Sequence, residues 1–178
     1  MSPFRPDLVD VWIFRDRATP STGAAEDAPA ARLPAIEILL MRRSAGRILP
    51  GLWQCVSGSL ESGESVVAGA LRELDEETGF GSSGILGFYD LDQVNQFHEP
   101  SVGAIVSAAV FAVRVGALAE PVLSHEHDAM RWVSPGGALE LAVWPAYRES
   151  IGRIAENLVD PGRAIWFELT LDGQRARR

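Results

Sequence analysis

Lysine is absent from this chain of 178 residues: all 16 basic side chains are arginines. Any side-chain clamp on an anion must therefore be a guanidinium, whose planar fork suits bidentate contact with phosphate or carboxylate. The single cysteine, Cys55, excludes an intramolecular disulfide, fits a reducing compartment and reads as a small buried residue. No stretch approaches the ~18 consecutive apolar residues of a membrane helix. Asp7 and Asp10 interrupt the first apolar stretch, and no small-residue cleavage site follows a long hydrophobic run, so neither a membrane span nor a secretory leader is expected. A soluble cytoplasmic protein is the default. Positive charge is also in deficit, with a net charge of -8, whereas a partner of nucleic acid polymers usually carries a basic face.

With 47% hydrophobic and 22% charged residues, the chain is long enough for one well-buried core and too short for two ordinary domains. One domain over residues 1–178 is the expectation. Strands are expected at Leu8 to Phe14, Ile36 to Arg43, Leu86 to Phe97, Ala104 to Val115 and Arg131 to Val133, with Gly51 to Val56 as an apolar approach to the next segment. The segment 16–34, rich in Ala, Pro, Ser, Thr and Gly, reads as a mobile surface loop. After Ser134-Pro135-Gly136-Gly137 a brief helix is expected near Ala138 to Ala142, and Pro145 opens a last helix with Tyr147, Ile151, Ile154 and Leu158 on one face. In the tail from residue 160, Ile165, Phe167, Leu169 and Leu171 alternate as in a strand that could complete the sheet or pair with a second subunit as a homodimer. Mixed strands with helices on both sides predict a layered α/β/α domain.

The most informative segment is 58–80, GSLESGESVVAGALRELDEETGF. Ser65 is a suitable N-cap; Val67, Ala70, Leu71, Leu74 and Thr78 recur at helical spacing; Gly79 can take the left-handed cap, with Phe80 as its apolar contact. The helix thus runs from about Val66 to Thr78. At about 100° per residue, Glu73, Glu76 and Glu77 share an arc that avoids the apolar stripe. Like charges so spaced disfavour an isolated helix by ~0.2–0.5 kcal/mol per pair and raise one another's pKa unless something positive intervenes. A divalent cation removes that conflict. Arg72, opposite the apolar stripe, can pair with these carboxylates and hold their rotamers, while Gly58 and Gly63 suit a loop whose backbone approaches a metal and phosphate.

Gly58, Glu64, Arg72, Glu73, Leu74, Glu76, Glu77, Gly79 and Phe80 fall where the signature of the Nudix hydrolase family has them, so the chain resembles that family and its α/β/α sandwich with a mixed β-sheet. The resemblance implies Glu73 and Glu77 as principal ligands of Mg²⁺, or of Mn²⁺ in its place. Glu76 is implied as a further ligand or a holder of metal-bound water, and the Ser57 carbonyl as the completion of the inner shell. Glu64 would support the site or bind metal. Within the family the chain is most similar to the bacterial dihydroneopterin triphosphate and dATP pyrophosphohydrolase group. That likeness rests on Leu39-Leu40-Met41-Arg42-Arg43, Trp53-Gln54-Cys55-Val56-Ser57-Gly58 and Glu126-His127-Asp128-Ala129-Met130-Arg131-Trp132-Val133, with Trp144 and Arg148 beyond. It spans roughly residues 8–158 and departs at 16–34, around Ala45 to Pro50, and after Asp160.

By the same resemblance Glu126 approaches the metals from the opposite wall, as a ligand or as the base that takes the water's proton. His125 and His127 flank it, but hard cations prefer oxygen. Arg42 and Arg43 end a strand, where alternation sends one to each face, so one is expected on a substrate phosphate and the other in solvent. Trp53, Phe97, Tyr89 and Trp144 are candidates to stack on a base or pterin ring, against core packing for each; Asn95, Gln96 and His98 could read a ring edge. The resemblance implies a metal-dependent pyrophosphohydrolase that cleaves a small-molecule phosphoanhydride, a nucleoside or pterin triphosphate, to monophosphate and pyrophosphate. The alternatives are a diadenosine polyphosphate or nucleotide-sugar hydrolase and, in another class, a non-catalytic nucleotide-sensing Nudix domain, in which box acids are typically lost.

Overall fold

The structure is a computed structural model describing residues 5–17 and 36–176. In chain order its elements are β1 (Leu8–Asp16), β2 (Ile36–Arg43), β3 (Trp53–Gln54), β4 (Val56–Ser59), α1 (Val66–Thr78), a 3-10 turn (Ser82–Gly84), β5 (Ile85–Glu99), β6 (Ala104–Val115) and β7 (His127–Val133). Then come α2 (Pro135–Leu141), α3 (Pro145–Arg153) running on as a π-helical turn (Ile154–Leu158), α4 (Pro161–Ala164) and β8 (Glu168–Leu169). Of the surface loop expected at 16–34, Asp16 belongs to β1 and residues 18–34 lie outside the described residues.

One mixed sheet runs β3-β2-β1-β6-β5-β8, with β4 joined to β1 and β7 to β2. The β1–β6 pair is parallel and the other pairs are antiparallel. Alternation along β1 divides the core between two faces. Val9, Val11 and Ile13 pack with Ala70 and Leu74 of α1, while Trp12 and Phe14 pack with Ala138, Ile151, Ile154 and Leu158 of the other helical layer. The sandwich is therefore the α/β/α arrangement the patterning predicts. β2 pairs with β1 only at Phe14–Asp16, and β4 takes its place along Leu8–Val11. This parting of strands delivers Ser57 and Gly58 to the sheet end above which α1 lies.

α1 has the predicted bounds because both ends are chemically local. Ser65 Oγ accepts the Ala68 N–H at 3.1 Å, and Gly79, at φ 69°, returns its N–H to Asp75 O at 2.8 Å. Elsewhere the tertiary structure moves boundaries. β7 begins at His127 rather than Arg131, because β2 pairs with it down to Arg43. α2 begins at Pro135, since Ser134 Oγ caps Gly137 N–H. The alternating tail is strand only at Glu168–Leu169: Asp160 caps a helical turn opened by Pro161, which consumes the preceding residues. β8 nevertheless pairs with Phe88 and Tyr89 of β5, completing the sheet within the chain.

Candidate active site

α1 sets its acidic side against the β4 loop, and Arg72 organises it. The guanidinium makes a two-pronged contact with Glu64 (Nε–Oε1 and Nη2–Oε2, both 3.0 Å), reaches Glu73 at 2.8 Å and Glu76 at 3.3 Å through Nη1, and donates from Nη2 to Ser59 O at 2.9 Å. Glu64 also accepts the Glu61 N–H at 3.1 Å, and these bonds hold its carboxyl below the usual range. Glu64 is thus engaged in fixing Arg72. Burial pushes the Glu73 carboxyl up despite that arginine. Gly58 leaves room for the Glu73 carboxylate: a Cβ there would lie 1.9 Å from Glu73 Cδ and push it aside. Gly63, at φ 82° with open space around it, serves the loop's left-handed turn instead.

Glu77 differs from its neighbours in facing inward, with 5% of its surface exposed. The Ser57 backbone amide favours its charged form, yet Oε2 is buried without a hydrogen-bond partner. Burial first, then the charge of Glu73, pushes its pKa to about 8. The opposite wall is the segment before β7, docked on the C-terminal end of α1 by Val122 N–H to Thr78 O (2.9 Å) and Ser124 N–H to Glu77 O (3.2 Å). From it Glu126 faces the helix and pairs with Arg47 at 2.8 Å. Between the walls lies a cleft of about 420 Å³ bordered by Ser57, Gly58, the three box glutamates, Glu126 and Arg43.

The two strand-end arginines separate as alternation requires. Arg43 borders the cleft, anchored to Ile48 O at 2.6 Å and Gln54 Oε1 at 3.2 Å. Arg42 turns away to Asp128 at 2.6 Å and lies 5.9 Å from the Trp53 ring, which Arg131 approaches to 5.0 Å. Neither Arg42, Trp53 nor Phe97 borders the cleft. Trp53 packs on the core beneath α2 and α3, and Phe97 is exposed on β5. Tyr89 is core, against Phe14, and Trp144 precedes α3, half exposed. His125 is exposed at the rim of the cleft, beside Arg47, whereas His127 is buried behind Glu77. Gly79 caps α1 and touches no carboxylate.

Sequence reasoning passed over Gln54, Arg47 and Asp10. Asp10 is buried opposite Ser57 and accepts from Asn95 Nδ2 at 2.9 Å. Burial raises its pKa. An acid in the middle of an otherwise apolar strand was the available signal. Nothing local marks Gln54, which matters only through residues distant in sequence. Burial together with the charges of Asp10 and Glu77 pushes the Cys55 thiol well up, which makes it a poor nucleophile.

The cleft suits a hard cation. Among the described residues no three ligating side chains are gathered tightly enough to hold an ion as they stand, since Arg72 draws Glu73 and Glu76, and Arg47 draws Glu126, to the side. The donor set is nevertheless all oxygen, as Mg²⁺ and Mn²⁺ prefer.

The NUDIX domain family matches residues 29–153, and the chain belongs to the Nudix family. Over 110 residues it is 33% identical to the CTP pyrophosphohydrolase of Escherichia coli K12, covering 62% of this chain and 76% of that protein. Over 124 residues it is 39% identical to an octanoyltransferase of Myxococcus xanthus, covering 68% of this chain but 33% of the relative. The chain thus spans about a third of that longer protein. Among solved structures, an Ap4A hydrolase of C. elegans superposes with a TM-score of 0.64 at 19% identity, covering 85% of this chain and 96% of that one. The E. coli dihydroneopterin triphosphate pyrophosphohydrolase does so with 0.58 at 21%, covering 83% and 97%. These structural likenesses show a common fold.

Proposed function

We propose that the protein is a divalent-cation-dependent pyrophosphohydrolase that cleaves a nucleoside or pterin triphosphate to its monophosphate and pyrophosphate. The observation that carries this is the facing of Glu73, Glu76 and Glu77 on one wall by Glu126 on the other, with Ser57 and Gly58 between them. Those glutamates and the Ser57 carbonyl would hold Mg²⁺ or Mn²⁺, which when bound lowers the pKa of a water and offsets charge on the phosphates.

The chain's own groups do the rest. Arg43, held by Ile48 O and Gln54, offers its remaining donors to a phosphate of the substrate. Arg72 keeps Glu73 and Glu76 in place. Glu126 stands across from the box as the acceptor of the proton that the attacking water loses, and Arg47 stabilises its position. Similarity to the CTP pyrophosphohydrolase supports a nucleoside triphosphate. The pterin alternative stems from the group resemblance.

The test is phosphate or pyrophosphate release from nucleoside triphosphates, dihydroneopterin triphosphate, diadenosine polyphosphates and nucleotide sugars, with Mg²⁺ or with chelator, for native protein and Glu77→Gln. Chelator-sensitive release of pyrophosphate from a triphosphate, lost in the variant, is expected. Preference for a diadenosine polyphosphate or nucleotide sugar would replace the substrate class. Binding without turnover would withdraw the activity.

A further inference from the structure

Behind the cleft, two buried polar atoms without hydrogen-bond partners face each other: Glu77 Oε2 and His127 Nδ1, 3.7 Å apart. Such atoms are uncommon in folded proteins and call for a physical account. Donor and acceptor chemistry supplies one. A guanidinium only donates, so the 3.2 Å contact from Arg43 Nη1 identifies the facing atom of the Gln54 amide as its oxygen. The Gln54 NH₂ therefore faces His127 Nε2, at 3.3 Å. An amide nitrogen only donates as well, so Nε2 carries the lone pair and the ring proton lies on Nδ1, directed at Glu77 Oε2. Gln54 sits on β3 opposite Met41, and His127 sits on β7 opposite Arg43. The chain of contacts is thus built into paired strands, and both Gln54 and His127 are buried.

We infer that His127 is a positioning residue: the succession Arg43, Gln54, His127 fixes the imidazole with Nδ1–H toward Glu77 and so holds that carboxylate in the orientation in which it binds a cation. The inference rests on the reading of Glu77 as a metal ligand. The Ser57 amide also favours the charged form of this carboxylate, so Glu77 is approached from two separate strands, β4 and β7. Arg43 borders the cleft at the far end of the same succession, so the group offered to phosphate also sets the tautomer behind the ligand. His127 itself stays out of the coordination shell, its only free nitrogen being occupied by Gln54.

The tautomer is directly measurable in native protein saturated with Mg²⁺, which is diamagnetic and keeps Glu77 ionised, by long-range ¹H–¹⁵N correlation of its three histidines, the His127 signals being those missing in His127→Asn. The expected result is a protonated Nδ1 and an unprotonated Nε2. Gln54→Glu, which keeps a partner for Arg43 but presents an acceptor to the ring, should move the proton to Nε2. A native ring carrying its proton on Nε2 overturns the inference.

Mn²⁺ binding, followed by the electron paramagnetic resonance of the free ion, separates this inference from the reading beneath it. His127→Gln keeps a polar group toward Gln54 but has no donor at the Nδ1 position, and its Kd should rise about 10- to 100-fold. His127→Asn places its amide NH₂ where Nδ1 stands and should stay close to native. Equal losses in both, or native affinity in both while Glu77→Gln loses binding, would overturn the role of His127 and leave Glu77 a ligand. Native affinity in Glu77→Gln would remove the ligand reading and the inference with it.

Discussion

In the metal-free protein, stability should fall as pH rises, and Glu77 should be responsible for a large part of the fall. Its pKa moves from 4.5 to about 8 on folding, burial being the first cause and Glu73 the second. Between those values the folded protein retains a proton that the unfolded chain releases. Unfolding therefore becomes easier with each step in pH across that window, and the loss is complete above the folded value. At 1.36 kcal/mol per pKa unit the displacement corresponds to a ceiling of about 5 kcal/mol. Water in the open cleft and side-chain relaxation reduce this to ~2–4 kcal/mol. Glu77→Gln keeps an oxygen for the Ser57 amide and cannot ionise. Urea unfolding from roughly pH 5 to pH 9 in chelator should show a steep native decline and a shallower one in the variant, which becomes the more stable protein at the alkaline end. Glu73 and Asp10, also raised by burial, leave the variant some residual slope. Parallel pH curves for the two proteins would refute this account of the buried carboxyl.

Saturating Mg²⁺ should reverse the alkaline loss, raising stability by ~2.7 kcal/mol at one hundred times Kd, and by more at pH 8 than at pH 5.5 because protons compete for the same carboxylates; calorimetric Tm at the two pH values checks it. Arg72→Lys should lower kcat/KM ~10–100-fold, since an ammonium cannot hold Glu64, Glu73, Glu76 and Ser59 O together. Gly58→Ala should displace the Glu73 carboxylate and remove most activity while costing stability only ~1–3 kcal/mol, a contrast that turnover and urea unfolding together would read. Arg43→Ala should raise KM and Arg42→Ala leave it near native, because only Arg43 borders the cleft; steady-state kinetics on the preferred triphosphate decides it.

α1 was legible to the residue because everything that bounds it is local: an N-cap hydroxyl, an apolar stripe, a glycine that accepts a left-handed φ. The same holds for the carboxylates it carries and for the arginine among them, since spacing along a helix determines which side chains can meet. The sequence by itself also determined the alternation that parts Arg42 from Arg43, though not which of the two meets the cleft. Tertiary structure decided that, by pairing β2 with β3 and β7 and so assigning each face a neighbour. It decided the burial of Glu77, because a helical wheel gives a direction but not what covers it, and here β4 and the segment before β7 close over it. It decided that the tail yields β8 alone, Asp160 and Pro161 having opened a helical turn first. The contact of Arg43, Gln54, His127 and Glu77 belongs wholly to the fold. Those residues lie on three strands and a helix, and hydrogen-bond direction acquires meaning only once chain pairing has brought a donor and an acceptor within reach.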